Sequence, residues 1–291
     1  MTWVERNKDH IEKIRTYVSG FQNARPPVFD WFAKGREPLF PYAPESDRGT
    51  AILLCFCALY QGISAEKLMR LLAHLHDGYG KDFFRLGKVP FDDLQARIQA
   101  RKELSQWDIR SKAPGILRSV SDFLFKHGRP GPWLLNLGNG EAAVTTLCEE
   151  IFMMGKTSAL KSKPRYFLWL MTQLADADPA RYWTPSTQLP ITPGHLRFLR
   201  EFGPLKNRKH SPWITPEEKL AYCNRFFRLL FPETPWCVYT ALDAYLKPEG
   251  PIPSPLSGPE PAPPRVWLCR KLLGGCLQCI FAPDCPGCEE L

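Results

Sequence analysis

The sequence has no long apolar run and no apolar leader. Its longest apolar stretch, from Ala51 to Tyr60, is far shorter than the roughly 20 residues that a helix needs to cross a bilayer. The first twelve residues carry charges throughout, which is unlike a secretory signal peptide. We therefore expect a chain that neither spans a membrane nor is secreted, and that works in a reducing compartment.

The sequence also has no segment with the alternating pattern of a half-buried strand and no repeat of solenoid length. Apolar residues recur instead at helical spacing, and we predict an all-α fold. Ser64 is the predicted N-cap of one helix, and Thr215 with Glu218 forms the capping box of another. The predicted helices cover residues 3–20, 48–60, 65–76, 91–103, 112–127, 141–154, 164–175, 192–202, a segment that starts at 216, and 235–246.

Composition divides the 291 residues into four parts. We predict an N-terminal helix and connector at 1–47 and a helical core at 48–247. The core is expected to have two lobes, and the N-terminal part is expected to pack on the second lobe. Eight prolines in 17 residues mark 248–264 as an extended linker, and a short tail follows at 265–291. The net charge is +8, and such a positive charge favours a polyanionic partner.

Cysteine is unevenly distributed, and this is the most informative feature of the chain. Five of the ten cysteines are scattered among apolar residues, where we expect buried thiols. The other five lie in the last 23 residues, at Cys269, Cys276, Cys279, Cys285 and Cys288. The last four of these have the spacing C-x2-C-x5-C-x2-C, which resembles paired zinc knuckles but is short for a zinc ribbon. The first four have the spacing C-x6-C-x2-C-x5-C, which suits a compact loop around a [4Fe–4S] cluster, and we favour this set.

The same spacing, at the end of a basic and helical chain, resembles the iron–sulfur loop of endonuclease III and the related adenine glycosylases. These enzymes are helix-hairpin-helix DNA glycosylases. The resemblance implies an all-α, two-lobed helix-hairpin-helix glycosylase fold, with a C-terminal [4Fe–4S] cluster held by Cys269, Cys276, Cys279 and Cys285. It also implies that the protein is a monomer and that it is cytoplasmic or nucleoid-associated. The implied partner is double-stranded DNA that contains a damaged or modified base.

Three stretches of the body resemble the family more weakly. One of them, 108–117, is similar to the segment that leads into the family's next barrel helix. The apolar helix that ends near Gln61 is similar to the family helix whose glutamine enters the base stack where a nucleotide is flipped out. A degenerate hairpin near 151–175 stands where the family has Leu-Pro-Gly-x-Gly, whose amides bind a phosphate. The chain has one glycine there, Gly155. In this alignment Lys163 corresponds to the catalytic lysine of the family. Lys156 and Lys161 are alternative candidates for that role. These three lysines and Arg165 are also candidate DNA contacts.

The catalytic aspartate of the family has no counterpart in its usual place. The family pattern is Val-Asp-x-His, whereas Pro193 precedes Gly194 and His195 here. We take Asp176 and Asp178 as replacement candidates, although both also suit loop or capping positions. His195 is a candidate phosphate donor, with a core or surface histidine as the alternative. Three further cations, Arg110, Lys112 and Arg118, are equally compatible with phosphate contacts and with a solvated helix face.

The leading functional hypothesis is a DNA glycosylase that flips out a damaged or modified base and excises it, which leaves an abasic site. The altered hairpin and the missing aspartate indicate an unusual substrate. The alternative is a non-catalytic, structure-specific DNA-binding protein that has kept the glycosylase fold and the cluster.

Overall fold

The computed structural model describes residues 8–19, 26–174, 187–191, 195–196, 215–232 and 235–239. The regular elements within these ranges are all helical, which confirms the predicted all-α class. The α-helices are α1 (Lys8–Ser19), α2 (Asp47–Leu59), α3 (Ala65–Tyr79), α4 (Phe91–Gln99), α5 (Ala113–His127), α6 (Pro130–Leu137), α7 (Gly140–Glu150), α8 (Ser162–Thr172) and α9 (Pro216–Leu230). Short 3-10 helices cover Pro27–Trp31, Gly80–Lys88 and Lys102–Leu104.

Most predicted helices within the described residues are present, and their predicted caps are formed. The Ser64 hydroxyl accepts a hydrogen bond from the Lys67 amide at 3.3 Å, and both bonds of the Thr215–Glu218 capping box are made. The helix α6 was not predicted, and α7 ends at Glu150, four residues before its predicted end. The linker and the cysteine tail lie outside the described residues.

The apolar helix α2 is the centre of one compact unit. Its residues from Gly49 to Leu59 are all buried, and it packs against α3, α5, α6 and α8. The Ser46 hydroxyl caps its N-terminus by accepting a 3.0 Å hydrogen bond from the Gly49 amide. A helix that is apolar on every side is buried in the core, and four other helices of the unit cover α2.

The chain divides into two compact units, Pro26–Gln188 and Met1–Arg25 with Leu189–Leu291. In the second unit α1 contacts α9, where the Arg15 guanidinium donates to the carbonyl oxygens of Leu229 and Leu230 at 3.2 and 3.1 Å. The boundaries of these units fall between residues 25 and 26 and between residues 188 and 189, and the division of the chain into 1–47, 48–247, 248–264 and 265–291 stays a prediction. Among the described residues, no helix is both long enough and apolar enough to span a membrane.

Candidate nucleic-acid interface

The loop between α7 and α8, residues 151–161, has an unusual backbone. Met153 (φ 59°), Gly155 (φ 116°) and Lys161 (φ 45°) all have positive φ. Within the described residues only one other non-glycine residue, Lys34, shares this conformation. The two positive-φ positions at Met153 and Gly155 are separated by one residue, as are the two glycines of Leu-Pro-Gly-x-Gly. Methionine pays a steric penalty there that glycine avoids, and such strain tends to concentrate at functional sites.

The same loop presents unpaired amide groups. The amides of Gly155, Lys156 and Thr157 donate to no acceptor among the described residues, although the Gly155 carbonyl accepts from the Ser158 amide at 2.9 Å. The Lys156 side chain is exposed beside them. Successive backbone N–H groups in a loop with left-handed residues form a concavity that binds anions. The three amides and the Lys156 side chain are thus donors of this loop that have no acceptor among the described residues.

Lys163 fastens the loop to the end of α2. Its ammonium group donates to the Ala58 carbonyl in the last turn of α2 at 2.8 Å, and to the Met153 carbonyl at 3.1 Å. Burial lowers the pKa of the Lys163 amine from 10.5 to about 8. A large part of the positive charge is therefore retained at neutral pH, and it faces the partially negative C-terminal end of a helix.

Gln61 lies close to this junction. Its side chain is exposed just beyond the end of α2, and its backbone carbonyl accepts a 2.8 Å hydrogen bond from the indole of Trp107. The Tyr60 ring stacks on Phe56 with a centroid separation of 4.9 Å and lies 6.1 Å from the ring of Tyr166 in α8. Because Lys163 bonds to Ala58 and Gln61 follows three residues later, Gln61 and the loop both lie near the C-terminal end of α2. The DNA contact of Gln61 stays a prediction.

Arg165 does not belong to this surface, and the expectation that it contacts DNA needs correction. Its side chain is buried, and the two nitrogens Nη1 and Nη2 donate to the two carboxylate oxygens of Glu141 at 2.5 and 2.7 Å. Further hydrogen bonds reach the carbonyl oxygens of Leu160 and Gln188. A buried guanidinium with this many acceptors holds α7 and α8 together and leaves no donor directed at solvent phosphate.

The three cations Arg110, Lys112 and Arg118, which lie just before or within α5, differ in whether their side chains can reach a phosphate in solvent. Arg110 donates to three carbonyls around the end of α4, those of Ile98, Gln99 and Arg101, and Arg118 donates to the Gly87 carbonyl at 3.0 Å. These two arginines satisfy helix ends and turns within the unit. Lys112 is exposed and is the one of the three that is available for a phosphate.

His195 is a core residue, so its assignment as a DNA contact is also corrected. It is fully buried, its Nε2 lies 3.2 Å from the Tyr239 carbonyl oxygen, and its ring meets the edges of Phe227 and Tyr239. The proposed catalytic carboxylates Asp176 and Asp178 lie outside the described residues, as does Pro193.

Four of the five described cysteines are buried thiols, as predicted, and the fifth, Cys237, is half-buried. Cys55, Cys57, Cys148 and Cys223 are buried, and burial raises the pKa of Cys55 and of Cys223 to about 12. Metal ligation requires thiolates, so these residues are poor ligands. The predicted cluster cysteines Cys269, Cys276, Cys279 and Cys285 lie outside the described residues, and the described part of the chain holds no metal-binding group of histidine, cysteine and carboxylate side chains.

Comparison with known proteins adds no relative. No family model matches the chain, no curated protein is similar to it, and no solved structure matches it.

The left-handed backbone at Met153 predicts an unusual response to mutation. We expect Met153→Gly to change the free energy of unfolding by less than about 1 kcal/mol, because relief of backbone strain offsets the greater flexibility of glycine and the loss of a half-buried side chain. Met154 is fully buried, and Met154→Ala is expected to destabilise the protein by about 2–5 kcal/mol. Urea unfolding of both variants tests this, and equal destabilisation by the two changes would contradict the strained conformation.

The lowered pKa of Lys163 predicts a dependence of stability on pH. Between pH 8 and 10.5 the unfolded chain holds a proton on this lysine that the folded chain has released. The stability of the wild-type protein should therefore rise with pH across this interval, and the Lys163→Met variant should lack this rise. Denaturant unfolding of both proteins at several pH values measures the difference. Parallel stability profiles would show that Lys163 binds its proton equally well in both states.

Proposed function

We propose that this chain binds DNA through the loop 151–161 and the end of α2, and that it is a DNA glycosylase that excises a damaged or modified base. The single observation that carries the proposal is the set of unpaired amides at Gly155, Lys156 and Thr157. The set begins at Gly155, which has a positive φ like Met153 two residues before it, and these two positions have the spacing of the family glycines. Together with the basic charge of the chain, this arrangement suits a DNA phosphate.

Gln61 supplies the second element of the proposal. Helix α2 ends at Leu59, so the exposed amide of Gln61 stands at a helix end near the phosphate-binding loop. A base that leaves the stack creates a gap and leaves its partner base without hydrogen bonds. The Gln61 amide has both a donor and an acceptor, and in this proposal it fills the gap while the loop holds the backbone.

Lys163 is the proposed nucleophile. With a pKa of about 8, a fraction of its amine is neutral at physiological pH, as nucleophilic attack requires. In this proposal the amine attacks the sugar carbon that carries the base, the bond to the base breaks, and the base leaves with a proton. The C1′–O4′ bond of the sugar then breaks, O4′ takes up the proton that the amine releases, and an imine forms between Lys163 and C1′. The two carbonyl hydrogen bonds of Lys163 must first be released, since they hold the amine toward Ala58 and Met153.

Those hydrogen bonds also favour the second candidate function, a structure-specific DNA-binding protein without catalysis. In that case the Lys163 ammonium is a permanent tie between the loop and α2. The absence of a carboxylate at Pro193 points the same way, because that aspartate assists the chemistry in the family. Asp176 and Asp178 remain the candidates for water activation if the lysine does not react.

We expect the full-length protein to produce abasic sites when it is incubated with a panel of duplexes that carry single damaged or modified bases. Borohydride should trap a covalent protein–DNA adduct, because it reduces the imine. Lys163→Gln keeps N–H donors for the two carbonyl oxygens but removes the nucleophile, so it should lose trapping and retain DNA binding. The matched control Lys81→Gln, at an exposed lysine outside the loop, should retain both activities.

The outcomes of that experiment separate the two functions. Abasic sites without trapping, unaffected by Lys163→Gln, would assign the chemistry to a carboxylate and water. Salt-sensitive DNA binding without any abasic sites across the panel would favour the non-catalytic function. A protein that binds no DNA at low salt would contradict both.

We also propose a [4Fe–4S] cluster on Cys269, Cys276, Cys279 and Cys285. The spacing of these cysteines is the support, and the deep burial of four other thiols excludes those as ligands. This cluster has a structural role in the proposal and takes part in no chemical step.

The cluster predicts a brown protein with broad absorbance near 400 nm and about four irons and four sulfides per chain. Cys276→Ser should lose the colour and the iron, whereas Cys288→Ser should retain both. A colourless protein that holds one zinc ion per chain would support the alternative zinc site instead.

A further inference from the structure

Phe152 is an exposed aromatic residue inside the proposed DNA-binding loop. Its side chain is 53% exposed, and it immediately precedes the left-handed Met153. A single exposed apolar side chain is common on protein surfaces, so the significance of Phe152 depends on its surroundings. No step in the proposed chemistry uses Phe152, and the resemblance to the glycosylases assigns it no role.

The position of the Phe152 ring is set by its neighbours. Its backbone amide donates to the Ser119 hydroxyl of α5 at 3.0 Å. The ring lies over Gly115 in the first turn of α5, so close that a methyl group on Gly115 would be 3.7 Å from the ring carbon Cδ1. One side of the ring therefore rests on α5, and about half of the side chain faces solvent.

Two exposed lysines lie close to Phe152 along the chain or along the helix that its ring contacts. Lys112 is exposed just before α5, three residues from Gly115, and Lys156 is exposed four residues after Phe152. Of the two glutamates at the end of α7, Glu150 is paired with Lys126 and His127 at 2.8 Å each, and Glu149 is exposed. An aromatic ring near exposed lysines is typical of surfaces on which bases stack, because the lysines hold the phosphates and the ring holds a base.

We infer that Phe152 is a stacking platform for a DNA base that is unpaired beside the phosphate held by the loop. This inference rests on the proposed function and extends it, since it names a contact that recognises disrupted base pairing. The ring contributes affinity through stacking and the lysines contribute it through charge. The two contributions should therefore respond differently to salt.

The test uses the full-length protein and a duplex with one unpaired 2-aminopurine, whose fluorescence reports stacking. We expect Phe152→Ala to weaken binding to this duplex about tenfold and to abolish the change in 2-aminopurine fluorescence that binding of the wild-type protein causes. The affinity of the variant should depend on salt in the same way as that of the wild-type protein. Phe152→Trp should restore both signals. The matched control is Phe125→Ala, because Phe125 is 89% exposed on the same helix α5 but roughly 15 Å further along its axis than Gly115.

Each result has a distinct meaning. If the wild-type protein binds in a salt-dependent way and Phe152→Ala matches it in affinity and fluorescence, the inference is wrong while the proposed function stands. If the wild-type protein does not bind DNA, both fail. A change from dimer to monomer in Phe152→Ala, measured by sedimentation, would show that the ring packs against a second copy of the chain and would overturn the inference. Unchanged thermal unfolding of Phe152→Ala excludes a folding defect.

Discussion

The ammonium group of Lys163 joins the two parts of the candidate interface. It is hydrogen-bonded to the Ala58 carbonyl at the end of α2 and to the Met153 carbonyl in the loop. Through these two bonds the helix end that carries Gln61 and the loop that carries Lys156 keep a fixed relation. The desolvation that lowers the pKa of Lys163 follows from the same position, because the amine is enclosed between two segments of backbone. The enclosure of the Lys163 amine between these two segments thus accounts both for its structural role and for its proposed chemical role.

An ion pair between Arg165 and Glu141 also stabilises the same loop. Arg165 and Glu141 form a bidentate ion pair between α8 and α7, and the helices that flank the loop are held together by it. Because the Arg165 side chain is buried, loss of Glu141 would leave an unpaired charge in the interior, which is strongly unfavourable. The loop can hold strained residues at Met153 and Lys161 because both of its ends are anchored in this way.

The local features of the fold could be predicted from the sequence, and the long-range features could not. Caps such as Ser64 and the pair Thr215 and Glu218 act over three residues, so their pattern is visible in the sequence. The burial of Arg165 depends on a carboxylate 24 residues away and on the Gln188 carbonyl, which no local pattern reveals. The positive φ of Met153 is likewise invisible in the sequence, because methionine is not a residue type that favours this conformation.

The central claim is that the amides of Gly155, Lys156 and Thr157 bind a DNA phosphate, and hydrogen–deuterium exchange of the full-length protein tests it most directly. At low salt, addition of duplex DNA should slow exchange at these three amides, and high salt should restore their exchange as the phosphate contacts dissociate. The core amides of α2 should remain unchanged throughout. Saturating DNA binding with unaltered exchange in this loop, and protection elsewhere, would contradict the account.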